Sequence, residues 1–153
     1  MSKYWLMKSE PEVFSIDDLQ KGKTTWWEGV RNYQARNFMT QDMQLRDKVL
    51  FYHSNAEPSG IAGIAEVSQL AKPDATQFDK KSEYFDQTST KENPRWSCVQ
   101  VCFIEKFKEI ITLEQIRKEK PLANMLVIKK GQRLSIQPVT KSEFDFILKL
   151  GKQ

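Results

Sequence analysis

The chain has 153 residues, 39% of them hydrophobic, with 24 basic against 20 acidic side chains and a net charge of +4. That length makes one domain, 1–153, whose core needs neither metal nor disulfide, and the balanced composition excludes a disordered or low-complexity chain. No apolar run is long enough to span a bilayer, and the start MSKYWLMKSEPEVF breaks its apolar stretch at Lys8 to Glu10, so a membrane partner is not expected and a cytoplasmic location is the default.

YWLMKSEP reads as an apolar strand ending at Pro11, and FSIDDLQKG as a short helix capped by Ser15 and closed by Gly22. Spacing predicts a helix from Asn32 to Met43 that turns Phe38 and Met39 inward, before a polar turn at Asp47 and Lys48. KVLFYHSN and GIAGIAEVSQL form two adjacent strands. In the second, Gly60, Ala62, Gly63 and Ala65 are small enough to admit another backbone or a ligand. From Lys72 to Pro94 the chain is polar and bounded by prolines, as a long loop or partly helical excursion would be. RWSCVQVCFIEKF alternates as a strand, with Val99, Val101 and Phe103 on one face and Cys98, Cys102 and Ile104 on the other, and both faces are expected to be buried. Thr112 opens a helix that Pro121 ends, RLSIQPV makes a short strand stopped by Pro138, and TKSEFDFILKLG is a closing helix with Phe144, Ile147 and Leu148 on one stripe. Short strands and helices without regular alternation point to an α+β fold on a small, barrel-like sheet.

The densest chemistry lies in Trp26, Trp27, Gly29, Val30, Arg31, Asn32, Tyr33 and Arg36, where aromatic rings suited to stacking on a base stand beside guanidinium forks suited to a base edge or a phosphate. Neighbours on an extended segment face opposite ways, so at most one of the two tryptophans lines a site. Tyr52, His53, Ser54 and Asn55 end a strand and can present donors and acceptors, although His53 reads better as a structural histidine. Weaker candidates are Lys8, Ser9 and Glu10, and Ser135 and Gln137, each at a strand that meets a proline. One histidine and two cysteines four apart supply no metal-ligand set, and there is no phosphate loop, dinucleotide fingerprint or paired nucleophile and base. No metal, no cofactor and no enzymatic activity are therefore expected.

Taken together, YWLMKSEP, WWEGVRNYQARNFM, VLFYHSN, GIAGIAEV, PRW and RLSIQPV occur in an order that resembles the EVE domain, and the resemblance runs from Tyr4 to Val139. It implies a PUA-like fold, a curved or closed β-sheet pseudo-barrel with flanking helices, and a pocket for a nucleobase, with modified bases in DNA or RNA as the ligands. Carried over position by position, it assigns pocket roles to Gly29, Val30, Arg31, Asn32, Tyr33, Arg36, Ser54 and Asn55. Weaker assignments go to Lys8, Ser9, Glu10, Ile61, Trp96, Ser135 and Gln137. Counting back from Gly29, the family tryptophan falls on Trp27 rather than Trp26, and a pocket ring at Trp27 is expected to be removable without loss of the fold. The implied function is a non-enzymatic reader of a nucleobase in nucleic acid. A binding protein for a free nucleoside or nucleotide is the alternative, and an enzyme built on His53 ranks last; the oligomeric state stays open.

Overall fold

The computed structural model describes residues 3–152. Strand β1 (Tyr4–Ser9) leads to helix α1 (Ile16–Gly22), which Ser15 opens with a capping box: its hydroxyl accepts the Asp18 N–H at 3.1 Å and its own N–H donates to the Asp18 carboxylate at 2.9 Å. After β2 (Thr24–Trp26), the helix expected from Asn32 to Met43 divides in two. The Asn32 side chain caps α2 (Tyr33–Asn37), and a π-helical turn over Phe38–Asp42 follows, closed by the Met43 N–H on the Phe38 carbonyl at 2.9 Å. Met39 still reaches the core, while Phe38 is half-buried against Trp5.

Then come β3 (Lys48–His53), β4 (Gly60–Pro73), β5 (Ser97–Thr112), α3 (Leu113–Lys118), β6 (Ile136–Val139) and α4 (Lys141–Gly151). The strands form one open sheet in the order β2-β5-β4-β3-β1-β6, so the expected alternative of a closed sheet is not realised. β1 and β3 run parallel, with Ser9 opposite His53, and the other pairings are antiparallel. β4 and β5 are longer than their alternating patterns suggest, and register shifts such as that between Ile61 and Gly63 bend the pair. Their backbones come so close that a Cβ on Gly60 or Gly63 would sit 2.2 Å from the Ile111 or Glu105 carbonyl oxygen, so a neighbouring strand is what these glycines admit.

Alternation puts a core on each face. Trp5, Met7, Val49, Phe51, Val99 and Val101 pack under α1 and α2, and Leu6, Leu50, Tyr52, Ile61, Ile64 and Phe107 pack under α3 and α4. Two sequence expectations change. Pro138 lies inside β6, opposite Trp5, which an edge strand tolerates because its outer side needs no donor. Ile104 is 44% exposed, so the second face of β5 is not buried throughout. Beneath the turn into β3, the fully buried Asp47 carboxylate accepts from the Lys3 N–H (2.9 Å), the Gln44 N–H (2.9 Å) and the Trp5 indole (3.0 Å), tying that turn to β1.

Candidate functional site

The parallel strands β1 and β3 end side by side, which gathers polar groups from residues 45 positions apart. The Ser54 N–H donates to the Ser9 carbonyl at 3.0 Å, and the Asn55 amide donates to the Glu10 carboxylate at 2.7 Å. Asn55 takes φ 50°, a conformation that Asn tolerates better than most residues, and its amide oxygen makes no hydrogen bond among the described residues. The Ser9 hydroxyl donates to the Phe14 carbonyl at 2.6 Å and so closes the 10–14 turn over an aromatic floor. In that floor Phe51 meets Trp27 edge-on at 5.5 Å and His53 at 5.7 Å, with Phe14 6.5 Å away. His53 Nε2 accepts the Ile16 N–H at 3.1 Å, and burial holds its pKa below the ordinary value, so it stays neutral and anchors the start of α1.

A second layer is built by the segment between β4 and β5. The Asp74 side chain is fully buried, and its carboxylate accepts from the Gly29 N–H (2.8 Å), Arg31 Nη1 (3.2 Å), the Thr76 N–H (2.8 Å) and the Thr76 hydroxyl (2.5 Å). Burial pushes its pKa up, but the hydrogen bonds from Thr76, Gly29 and Arg31 outweigh it and leave the carboxyl below its usual value. Arg31 also donates to the Val30 carbonyl, to Thr76 Oγ1 and twice to the Tyr84 carbonyl, so all five of its N–H donors are used inside the protein. The Tyr84 ring lies against Gly29, whose φ is 88° and where a Cβ would come within 2.7 Å of the ring. Burial, with Glu83 and then Glu10, raises the Tyr84 pKa.

A family model for the EVE domain matches residues 3–150. The chain belongs to the EVE-domain family. It is 47% identical to thymocyte nuclear protein 1 of Gallus gallus, over 98% of this chain and 69% of that protein. A solved structure of a Leishmania major protein superposes with a TM-score of 0.95 at 48% identity, covering 99% of this chain and 96% of the other. The human THYN1 protein, solved in complex with DNA containing 5-methylcytosine, superposes with a TM-score of 0.92 at 45% identity over 99% of each chain.

Within this EVE domain the sequence-derived candidates separate. Ser9, Glu10, Ser54 and Asn55 meet at the strand ends, with the Lys8 N–H bonded to the Ser135 carbonyl at 2.9 Å beside them. Gly29, Arg31, Tyr33, Arg36 and Trp96 meet in the second layer. The expectation that Trp27 stands outside the core does not hold: Trp27 and Val30 are 8% and 7% exposed and belong to the α1 and α2 core. Trp26 is half-buried at the sheet edge under the Lys72 ammonium, 4.0 Å from its ring centroid. Asn32 is the cap of α2, and the buried Gln137 amide donates to the Leu134 carbonyl at 2.8 Å. Ile61 is fully buried on the opposite face of the sheet from Trp27, which removes it from this site. Lys8 also leans to that opposite face, its ammonium 5.9 Å from the Tyr52 ring centroid.

Asp74, Thr76, Tyr84, Phe14 and Phe51 are the site residues that sequence reasoning missed. Asp74-Ala-Thr76 is a short acidic turn signal, but nothing local shows that it closes on Gly29 and Arg31. Two cavities of about 270 Å³ lie elsewhere, one by α3 and the end of α4 and the other between β1 and β6, and neither includes a residue of the aromatic and arginine block. The first has no aromatic wall, and the second sets Tyr4 and Trp5 beside lysines with no amide or carboxylate to read a base edge, so the strand-end site remains the better candidate for a base.

Proposed function

We propose that this chain is a non-enzymatic reader of a modified cytosine in DNA, and that the base enters at the carboxyl ends of β1 and β3. The observation that carries the reading is the human THYN1 protein's complex with 5-methylcytosine-containing DNA, at 45% identity over nearly the whole of both chains. The local geometry supports it. Asn55, Ser54 and Glu10 offer hydrogen-bonding groups of both senses at the mouth, and the half-buried Phe14, packed on the core rings Phe51 and Trp27, gives an apolar floor for a base ring and its methyl group. Asp74 and Arg31 supply rigidity instead of chemistry, because their polar atoms are already engaged. A cytoplasmic location is kept as part of the proposal, supported by two free thiols, one of them on the buried Cys98.

The test is anisotropy titration of a labelled oligonucleotide carrying one 5-methylcytosine. Asn55→Gly keeps the φ and removes the amide, and it weakens binding about tenfold or more, the consequence of leaving base-edge groups unpaired. Wild-type affinity in this variant, with its fold intact, would move the base site away from the strand ends.

A further inference from the structure

The second layer continues outward as a ladder of rings and guanidinium groups. Tyr84, Arg31, Trp96, Tyr33 and Arg36 follow one another, with Arg31 Cζ 5.6 Å from the Tyr84 centroid and 5.4 Å from that of Trp96. Tyr33 and Trp96 are stacked at 4.8 Å, and Arg36 Cζ is 4.6 Å from the Tyr33 centroid. At the inner end Tyr84 and Arg31 are half-buried and the donors of Arg31 are all used, whereas at the outer end Tyr33 is 49% exposed and Arg95 is exposed. Here the arginines differ from Arg31 in how many donors they spend. Arg36 donates Nε and Nη2 to Asn37 Oδ1 (3.2 and 2.9 Å) and Nη1 to the Arg95 carbonyl (2.9 Å), three of five donors, and Arg95 spends one, on the Tyr33 hydroxyl at 3.3 Å.

Neither guanidinium has a carboxylate ion-pair partner among the described residues. Asp86 is an acid in electrostatic range of Arg95 and offsets part of its charge, but it makes no ion pair with it, its oxygens accepting from Thr88 and the Trp96 indole. Two guanidinium groups without an ion-pair partner thus share one exposed ring, Arg36 lying on its face and Arg95 bonded to its hydroxyl, and the stack beneath Arg36 lowers the entropy cost of holding it in place. Planar forks with spare N–H groups match the oxygens of a phosphodiester.

We infer that Arg36 and Arg95 form a phosphate clamp for the DNA backbone, gripping nucleotides that flank the one inserted at the strand ends. This rests on the base-reading function above and adds to it the surface along which the strand runs. The clamp contributes affinity without sequence preference, and the strand-end site contributes the preference.

Each neutralised phosphate steepens the salt dependence of binding, so the clamp can be read apart from base recognition. Affinities of the wild type, an R36Q/R95Q pair and an R36K/R95K pair are measured for a methylated and an unmethylated oligonucleotide duplex between about 50 and 200 mM salt. Loss of two contacts flattens the slope of log affinity on log salt by about 1.8, which over that fourfold range is about a twelvefold difference between the wild type and the Gln pair. Both duplexes show the same flattening, and the Lys pair, which keeps both charges, retains the wild-type slope. An unchanged slope in a folded Gln pair overturns the clamp, and so does a wild-type affinity that ignores salt. If the pair does not fold, R95Q alone is read, since Arg95 is exposed and makes a single side-chain donation. Its slope flattens by about 0.9, and no change overturns the clamp. Equal wild-type affinity for the two duplexes, with the flattening intact, refutes base reading and leaves the clamp standing.

Discussion

Arg31→Ala is expected to destabilise this fold substantially, although the sequence invites reading Arg31 as a ligand contact. The substitution leaves the Asp74 carboxylate fully buried with no counter-charge and takes two donors from the Tyr84 carbonyl. Breaking one side of a buried pair costs about 3–5 kcal/mol, and since the Arg31 side chain is 22% exposed, water can partly replace it and the lower end applies. At about 3 kcal/mol, a chain of this size loses roughly 6–12 °C of melting temperature. The damage should concentrate in the segment from Asp74 to Trp96, where trypsin would gain access at Lys80, Lys81 and Lys91. A double-mutant cycle with Asp74→Asn isolates the pair: Arg31→Ala costs less once the buried charge is gone. Wild-type melting of Arg31→Ala, no added cleavage and no coupling to Asp74 would refute the reasoning and return the guanidinium to the pool of base contacts.

Trp27→Ala removes a core ring packed on Phe51 and should cost about 3–5 kcal/mol, seen as a lower urea midpoint; an unchanged midpoint with binding lost would restore Trp27 as a pocket ring outside the core. Gly29→Ala forces a Cβ onto the Tyr84 ring at a φ of 88° and is expected to cost about 2 kcal/mol, so a melting temperature equal to wild type would show that Tyr84 moves aside freely. His53 has a folded pKa below its unfolded 6.5, through burial, with Asp17 opposing and Lys106 reinforcing the shift. Its contribution is therefore fully present above pH 6.5 and is lost as the pH falls through the folded value, where the protonated ring no longer accepts the Ile16 N–H. Urea titrations at neutral and mildly acidic pH should show this loss in the wild type and a smaller one in His53→Gln. A variant with the same acid dependence would assign it to other groups.

Local signals made much of the fold legible. Ser15 and Thr112 each cap a helix with a capping box, as their spacing to Asp18 and Gln115 suggests, and alternation along KVLFYH sorts Val49 and Phe51 from Leu50 and Tyr52 onto opposite faces. A bulge escaped the pattern: opposite Phe51 and Tyr52, β4 passes from Gly63 to Ile61 with Ala62 unpaired, so Ile61 and Ile64, three apart, share a face and Ile61 falls away from the site. Pro138 looked like a stop because a proline is one in a central strand, whereas β6 is an edge. For the site, the sequence shows that Arg31 can donate five hydrogen bonds but not what consumes them. The acceptors are Val30 beside it and Asp74, Thr76 and Tyr84, more than 40 residues away and brought close only by the folded sheet. Asn55 is a main candidate in the sequence and Glu10 a weaker one, and only the parallel pairing of β1 with β3 makes them one site.

The most direct measurement is the affinity of the intact protein for two duplexes that differ by one methyl group, at a single fixed salt concentration. Burying that methyl against an apolar floor is worth about 1–3 kcal/mol, so the methylated duplex should bind roughly tenfold or more tighter, and Asn55→Gly should weaken both. Equal affinity for the two duplexes would contradict the claim that this EVE domain reads a modified base.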